Sequence, residues 1–176
     1  ESLARVPGIT AQNRNQMAQD PQISSRGFGA RSAFGVRGVR IYVDGIPLSM
    51  PDGIGNPGSV DLDTIGNIEV MRGPFSAMYG NSSGGVIQMF TRPTPKTPEV
   101  SGDVVFGSFG TRRESVQAAG TRQGVDYLLN FSNFESDGYR AQSANEKRQA
   151  TAKLGVKLSD DTKLTTLITW FDQYAL

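Results

Sequence analysis

The chain has 176 residues, a formal charge of +1, 37% apolar and 20% charged side chains, and neither cysteine nor histidine. Near neutrality gives no electrostatic footprint for neutralising many phosphates, and the missing side chains remove disulfides, thiolate or imidazole metal sites and histidine-based triads. No stretch approaches the roughly 18 apolar residues of a membrane helix, and residues 1–20 lack the basic and apolar regions of a leader. The chain is therefore soluble, already processed, or crosses a membrane as strands, whose alternation leaves no hydropathy peak.

From the N-terminus, residues 1 to 92 read as a small mixed domain. The glycine-rich "GFGARSAFG" (27–35) has the spacing G-x-G-x5-G and not the dinucleotide fingerprint, so it reads as a loop needing positive φ. "RIYVDGIP" (40–47) is a strand ending in an Asp-Gly turn. "DLDTIG" (61–66) starts with acids and stops at Gly66, as a one- or two-turn helix does. "IEVMRG" (68–73) is a second strand, "PFSAMYG" (74–80) a short helix with Pro74 at its first position, and "GVIQMFTR" (85–92) a third strand.

One junction in this run stands out. Ile68, Val70 and Met71 suit burial, yet they lead directly into Arg72, whose guanidinium cannot shed its charge and needs a partner when buried. Other acidic positions have simpler accounts. Asp61, Asp63 and Gly66 fall on calcium-loop positions, but Ile65 and Arg72 stand where ligands belong. Asp44 and Asp52, a conceivable glycosidase pair, both lie in Asp-Gly turns. The glycosylation tripeptide at Asn81 reads as a turn.

"RPTPKTP" (92–98) holds three prolines and marks a domain boundary; every lysine lies beyond position 95. Past it, period two dominates. Ala150, Ala152, Leu154, Val156 and Leu158 share one face, and Thr151, Lys153, Gly155, Lys157 and Ser159 the other. "VDYLLNFSNFE" (125–135) and "TKLTTLITWFD" (162–172) repeat the pattern, and "GDVVFGSFG" (102–110) and "RESVQAAG" (113–120) complete five antiparallel strands. "TRQG" and "SDDT" are short connections, whereas 135–148 reads as a long loop, the asymmetry of an outer-membrane barrel. Phe109, Phe134, Tyr139, Trp170 and Tyr174 sit near strand ends, where interfacial aromatics lie.

"PQISSRGFG", "RIYVDGIP", "IEVMRGPFSAMYGNSSGGVIQMFTR" and the strand array after them resemble the plug and first barrel strands of a TonB-dependent outer-membrane receptor. The resemblance covers essentially the whole chain, in family order. It implies an α+β plug domain with a small mixed sheet over residues 1–95, then the first five strands of a transmembrane β-barrel over 96–176, in a family whose barrels have about 22 strands. The plug starts already under way and the strands stop at five, so the expectation is a piece of a longer receptor.

The resemblance further implies an outer-membrane location in a Gram-negative bacterium, no enzymatic chemistry, no cofactor, no resident metal and no nucleic acid. The implied partners are outer-membrane lipid, a small-molecule ligand such as a ferric chelate, and the TonB-ExbB-ExbD energising complex, reached through an N-terminal box outside this sequence. Arg26 and Arg72 match plug arginines held by barrel glutamates, which the family places beyond Leu176. Gly27, Gly73, Pro74, Tyr79 and Gly80 belong to the same structural motifs. Family alignment puts Arg14, Arg31 and Arg37, with Phe34, Pro51 and Asp52, toward the ligand at the plug apex. A ferric siderophore is the implied cargo. The run "SSRGFGARSAFGVRGVRIYVDGIPLSMPDG" looks most like receptors for pyrroloquinoline quinone, the alternative. A rival of another class is a non-transport binding or adhesion protein whose strands form a soluble sandwich. The two classes differ in which face of the strands is buried.

Overall fold

The computed structural model describes residues 3–12, 21–33, 35–50, 52–73, 76–80 and 82–175. They form two compact units, one comprising Glu1–Val60 and Ile65–Thr91, the other Asp61–Thr64 and Arg92–Leu176. No helix among the described residues is long and apolar enough to cross a membrane.

In the first unit, strands β1 (Ile9–Gln12) and β2 (Gln22–Ser25) form an antiparallel pair. A second, mixed sheet contains β3 (Arg40–Val43), β4 (Ile46–Pro47), β5 (Ile65–Met71) and β6 (Val86–Thr91), in the spatial order β4-β3-β6-β5. β6 is inner, parallel to β3 and antiparallel to β5, which is why "VIQMFT" is apolar almost throughout. Ile23, Val36, Val39, Ile41, Val60, Ile87 and Met89 form the core. The strand expected over 40–47 is a hairpin: Asp44 and Gly45 both take positive φ, as an Asp-Gly turn requires. The Asp44 carboxylate also accepts from the backbone N and Oγ1 of Thr91, tying the turn to β6.

The helix expected over 61–66 is smaller than its sequence suggests. A single 3-10 turn spans Leu62–Thr64, closed by the Thr64 hydroxyl donating to the Asp61 carbonyl at 2.7 Å. Ile65 already pairs with Thr91 in β5, and the register shifts between Ile65 and Asn67, so Gly66 serves as a bulge and not a helix stop. The second short helix is α1 (Ser76–Tyr79), ended by Gly80 at φ 73°.

The second unit is one antiparallel sheet of β7 (Glu99–Phe106), β8 (Arg112–Arg122), β9 (Val125–Ser136), β10 (Asn145–Lys157) and β11 (Lys163–Ala175), in chain order. All five expected strands are present. β10 begins at Asn145, so the connection expected over 135–148 contracts to residues 137–144. Trp170 lies within β11, and Phe134 shares the Arg113 and Lys147 face of the sheet.

Candidate functional site

In the first unit, two loops are knitted together by main chain. Val36 and Gly55 exchange both hydrogen bonds at 2.9 Å, and Met50 N donates to Ile54 O. Gly35, at φ 61°, is required here because a Cβ would lie 2.3 Å from the Ile54 side chain. Arg37 flanks this bridge and Arg31 sits in the preceding turn, both exposed. Asp52 caps the second loop, its Oδ1 accepting from Ile54 N at 2.9 Å. Among the described residues, no ion pair joins Arg31, Arg37 and Asp52 to one another. Arg14, Phe34, Pro51 and Pro74 lie outside the described residues.

Arg26 and Arg72 converge on one turn. Arg26 N donates to Gly8 O at 2.9 Å, and Arg72 Nη1 donates to Pro7 O at 3.0 Å. Both side chains are exposed, and a backbone carbonyl is the partner that Arg72 meets. Gly27 and Gly73 take positive φ at 86° and 125°, conformations that suit glycine. Tyr79 packs edge-on against Tyr42 with centroids 5.5 Å apart, and its hydroxyl accepts from Gln88 Nε2.

The five-strand sheet is inverted relative to a soluble core. Register puts Val116, Phe131, Ala150 and Trp170 in one row, and Ala118, Leu129, Ala152 and Ile168 in the next. This apolar face is the accessible one: Phe131 is 45% and Ile168 60% exposed, against 5% for Asn130 and Thr151 on the opposite face. Ser132, Asn145 and Gln149 are likewise buried on the polar side. Along β9 the apolar face runs from Val125 to Phe131, about 20 Å at 3.3 Å per residue, before Asn133 and Glu135 replace it. There it borders the ion pairs Arg112–Glu114 and Arg148–Glu146.

Asp61–Thr64 is clasped on the polar face. Asn130 Nδ2 donates to Asp61 Oδ2 at 2.8 Å, Gln117 Nε2 to Asp63 O at 3.4 Å, and Arg113 pairs with the Asp63 carboxylate.

Residues 1–86 match the TonB-dependent receptor plug domain family. That stretch, just under half of the chain, is similar to the TonB-dependent receptors. The pesticin receptor of Yersinia pestis is 33% identical over 100 residues, covering 56% of this chain and 14% of that protein. The hemin receptor of Yersinia enterocolitica is 26% identical over 191 aligned positions, covering all of this chain and 27% of that receptor. The unliganded ferric citrate transporter FecA shares the fold at TM-score 0.74 and 23% identity, over 98% of this chain and 28% of its own. The chain thus spans well under a third of these proteins.

Of the candidate residues that are described, Arg26, Gly27, Arg31, Arg37, Asp52, Arg72, Gly73 and Gly80 lie in turns and loops, and Tyr79 ends α1. The clasp was missed. Asp61 and Asp63 look like a helix start, and Arg113, Gln117 and Asn130 look like any polar face of an amphipathic strand. The available signal was that Asn130 and Ser132 alternate with Leu129 and Phe131, which marks a face without saying whether it is covered.

Proposed function

We propose that residues 1–95 are the plug and 96–176 the first barrel strands of an outer-membrane active transporter that binds and imports a scarce iron chelate of the ferric siderophore class. The carrying observation is the sheet whose polar face is buried and whose apolar face is accessible, as a strand array facing lipid outside and a polar lumen inside requires. Chemistry on the ligand is not part of the reading. Energy comes from TonB-ExbB-ExbD, which engages the plug.

The same reading gives Arg14, Arg31 and Arg37 the ligand's anionic groups, with Phe34, Pro51 and Asp52 shaping the surrounding loops. Support comes from the exposure of Arg31 and Arg37 beside the two interlocked loops. A guanidinium fork suits carboxylate or catecholate oxygens. Arg26 and Arg72 act as latches between plug and barrel; the exposure of both side chains supports that role.

The test is growth of a receptor-null strain carrying the complete gene. Rescue on iron-limited medium supplied with a ferric siderophore is expected. Rescue only on medium requiring pyrroloquinoline quinone would move the cargo to that cofactor, and rescue on neither would overturn the transport reading. In the complete receptor, Arg14→Ala and Arg31→Ala should each weaken equilibrium binding by about 1.5–3 kcal/mol, the usual worth of a charge-assisted hydrogen bond.

A further inference from the structure

Four turns among the described residues place an X-Gly pair with positive φ at both positions: Arg26-Gly27, Asp44-Gly45, Phe109-Gly110 and Gln123-Gly124. Such turns favour Asn, Asp or Gly at the first position, since only small or locally hydrogen-bonding side chains tolerate it well. Three of the four carry a polar side chain there. The fourth carries phenylalanine, at φ 58°, and that ring is 61% exposed. A bulky aromatic held in a costly backbone conformation while most of its ring stays exposed gains little burial for the fold, and an observed outlier of this kind points to function.

The surroundings of Phe109 are built. The turn Ser108–Thr111, closed by Thr111 N donating to Ser108 O, is stitched to the neighbouring connection 137–144. Asp137 N donates to Phe109 O at 2.9 Å, and the Thr111 and Ser136 hydroxyls share a hydrogen bond at 2.9 Å. The result sets the Phe109 and Tyr139 rings 6.1 Å apart at a tilt of 57°. The Arg140 guanidinium lies 4.9 Å from the Tyr139 ring centroid, and Ser143 braces the Arg140 main chain, accepting from its N and donating to its O. Tyr139 is 52% exposed. Two accessible rings and a cation are therefore held in place before any ligand arrives, which lowers the ordering cost of binding.

We propose that Phe109, Tyr139 and Arg140 form a recognition patch for an anion that carries splayed aromatic rings, of the class of an iron(III) catecholate chelate. The two rings, tilted 57° to one another, meet differently oriented catecholate rings of the ligand while the guanidinium meets its charge. A neutral sugar would use the rings but not the cation, and an aliphatic carboxylate chelate the cation but not the rings. This inference rests on the transporter reading and narrows its ligand class.

The experiment is equilibrium binding of two probes, an iron(III) tricatecholate chelate and iron(III) citrate, to the complete receptor in detergent. Phe109→Asn and Tyr139→Ala should each weaken tricatecholate binding by about 3- to 10-fold, the worth of an aromatic contact, and leave any citrate binding within about twofold. Phe109→Asn should also keep or raise the melting temperature, because asparagine suits the turn. Unchanged tricatecholate affinity in both variants would overturn the patch, as would equal losses for both probes. Loss of membrane insertion with affinity intact would make the rings lipid anchors instead. A wild-type receptor that binds only citrate would overturn the aromatic assignment alone. One that binds neither chelate would overturn the iron-chelate reading beneath it.

Discussion

Asp61 is a carboxylate only 4% exposed, held by the backbone N of Asp63 and by the Asn130 side chain, far away in sequence. Replacing the Asn130 donor with a methyl group leaves a buried oxygen short of a partner, at a cost of about 1–3 kcal/mol. Asn130→Ala should therefore lower the calorimetric melting temperature of the complete receptor. Asn130→Asp should lower it further, since a second carboxylate would face Asp61 where an amide now donates. The Arg113–Asp63 pair is worth less, about 1 kcal/mol or below, because the Arg113 side chain is 42% exposed and solvent screens it. Within the described residues, the Arg72 guanidinium that follows the apolar Ile68, Val70 and Met71 donates to the Pro7 carbonyl.

Strand β11 shows how strictly alternation has to be kept where both faces matter. Ile168 pairs with Ala152 on the apolar face and its neighbour Thr169 pairs with Thr151 on the polar one. In a barrel wall, lysine at the first position would stand in hydrocarbon, costing about 2–4 kcal/mol near the midplane, whereas lysine at the second would face the lumen. Ile168→Lys should reduce the fraction of complete receptor that folds into vesicles as a heat-resistant species, and Thr169→Lys should not. Equal behaviour of the two would contradict the assignment of faces. The alternation itself was legible from Ala150 onward because apolar and polar residues take turns there. It was not legible over Asn145 to Gln149, where both faces are polar, and so β10 begins earlier than its hydropathy reveals. The 3-10 turn at Leu62–Thr64 escaped for the opposite reason: Ile65 and Gly66 prolong a helical-looking segment, but pairing of Ile65 with Thr91 takes them into β5.

Among the described residues, the sheet of the second unit has two outer strands, β7 paired only with β8 and β11 only with β10. In hydrocarbon each unpaired backbone group costs several kcal/mol. The purified 176-residue chain should accordingly give no heat-resistant barrel species in vesicles; its appearance would require another chain or copy to cover both edges. What composition, periodicity and turn residues settled unaided were the absence of histidine and cysteine side chains, the five alternating strands and the Asp-Gly turn at 44–45, since each depends on residues within a few positions of one another. The folded molecule alone decided which face of those strands is covered, that Asp61–Thr64 joins the sheet, that Arg72 meets Pro7, and that Thr111 meets Ser136 to bring Phe109 beside Tyr139. Those contacts join residues 69, 65 and 25 positions apart in the cases of Asp61 with Asn130, Arg72 with Pro7, and Thr111 with Ser136. Strand register and chain return bring such partners together, and no local pattern of residues encodes either.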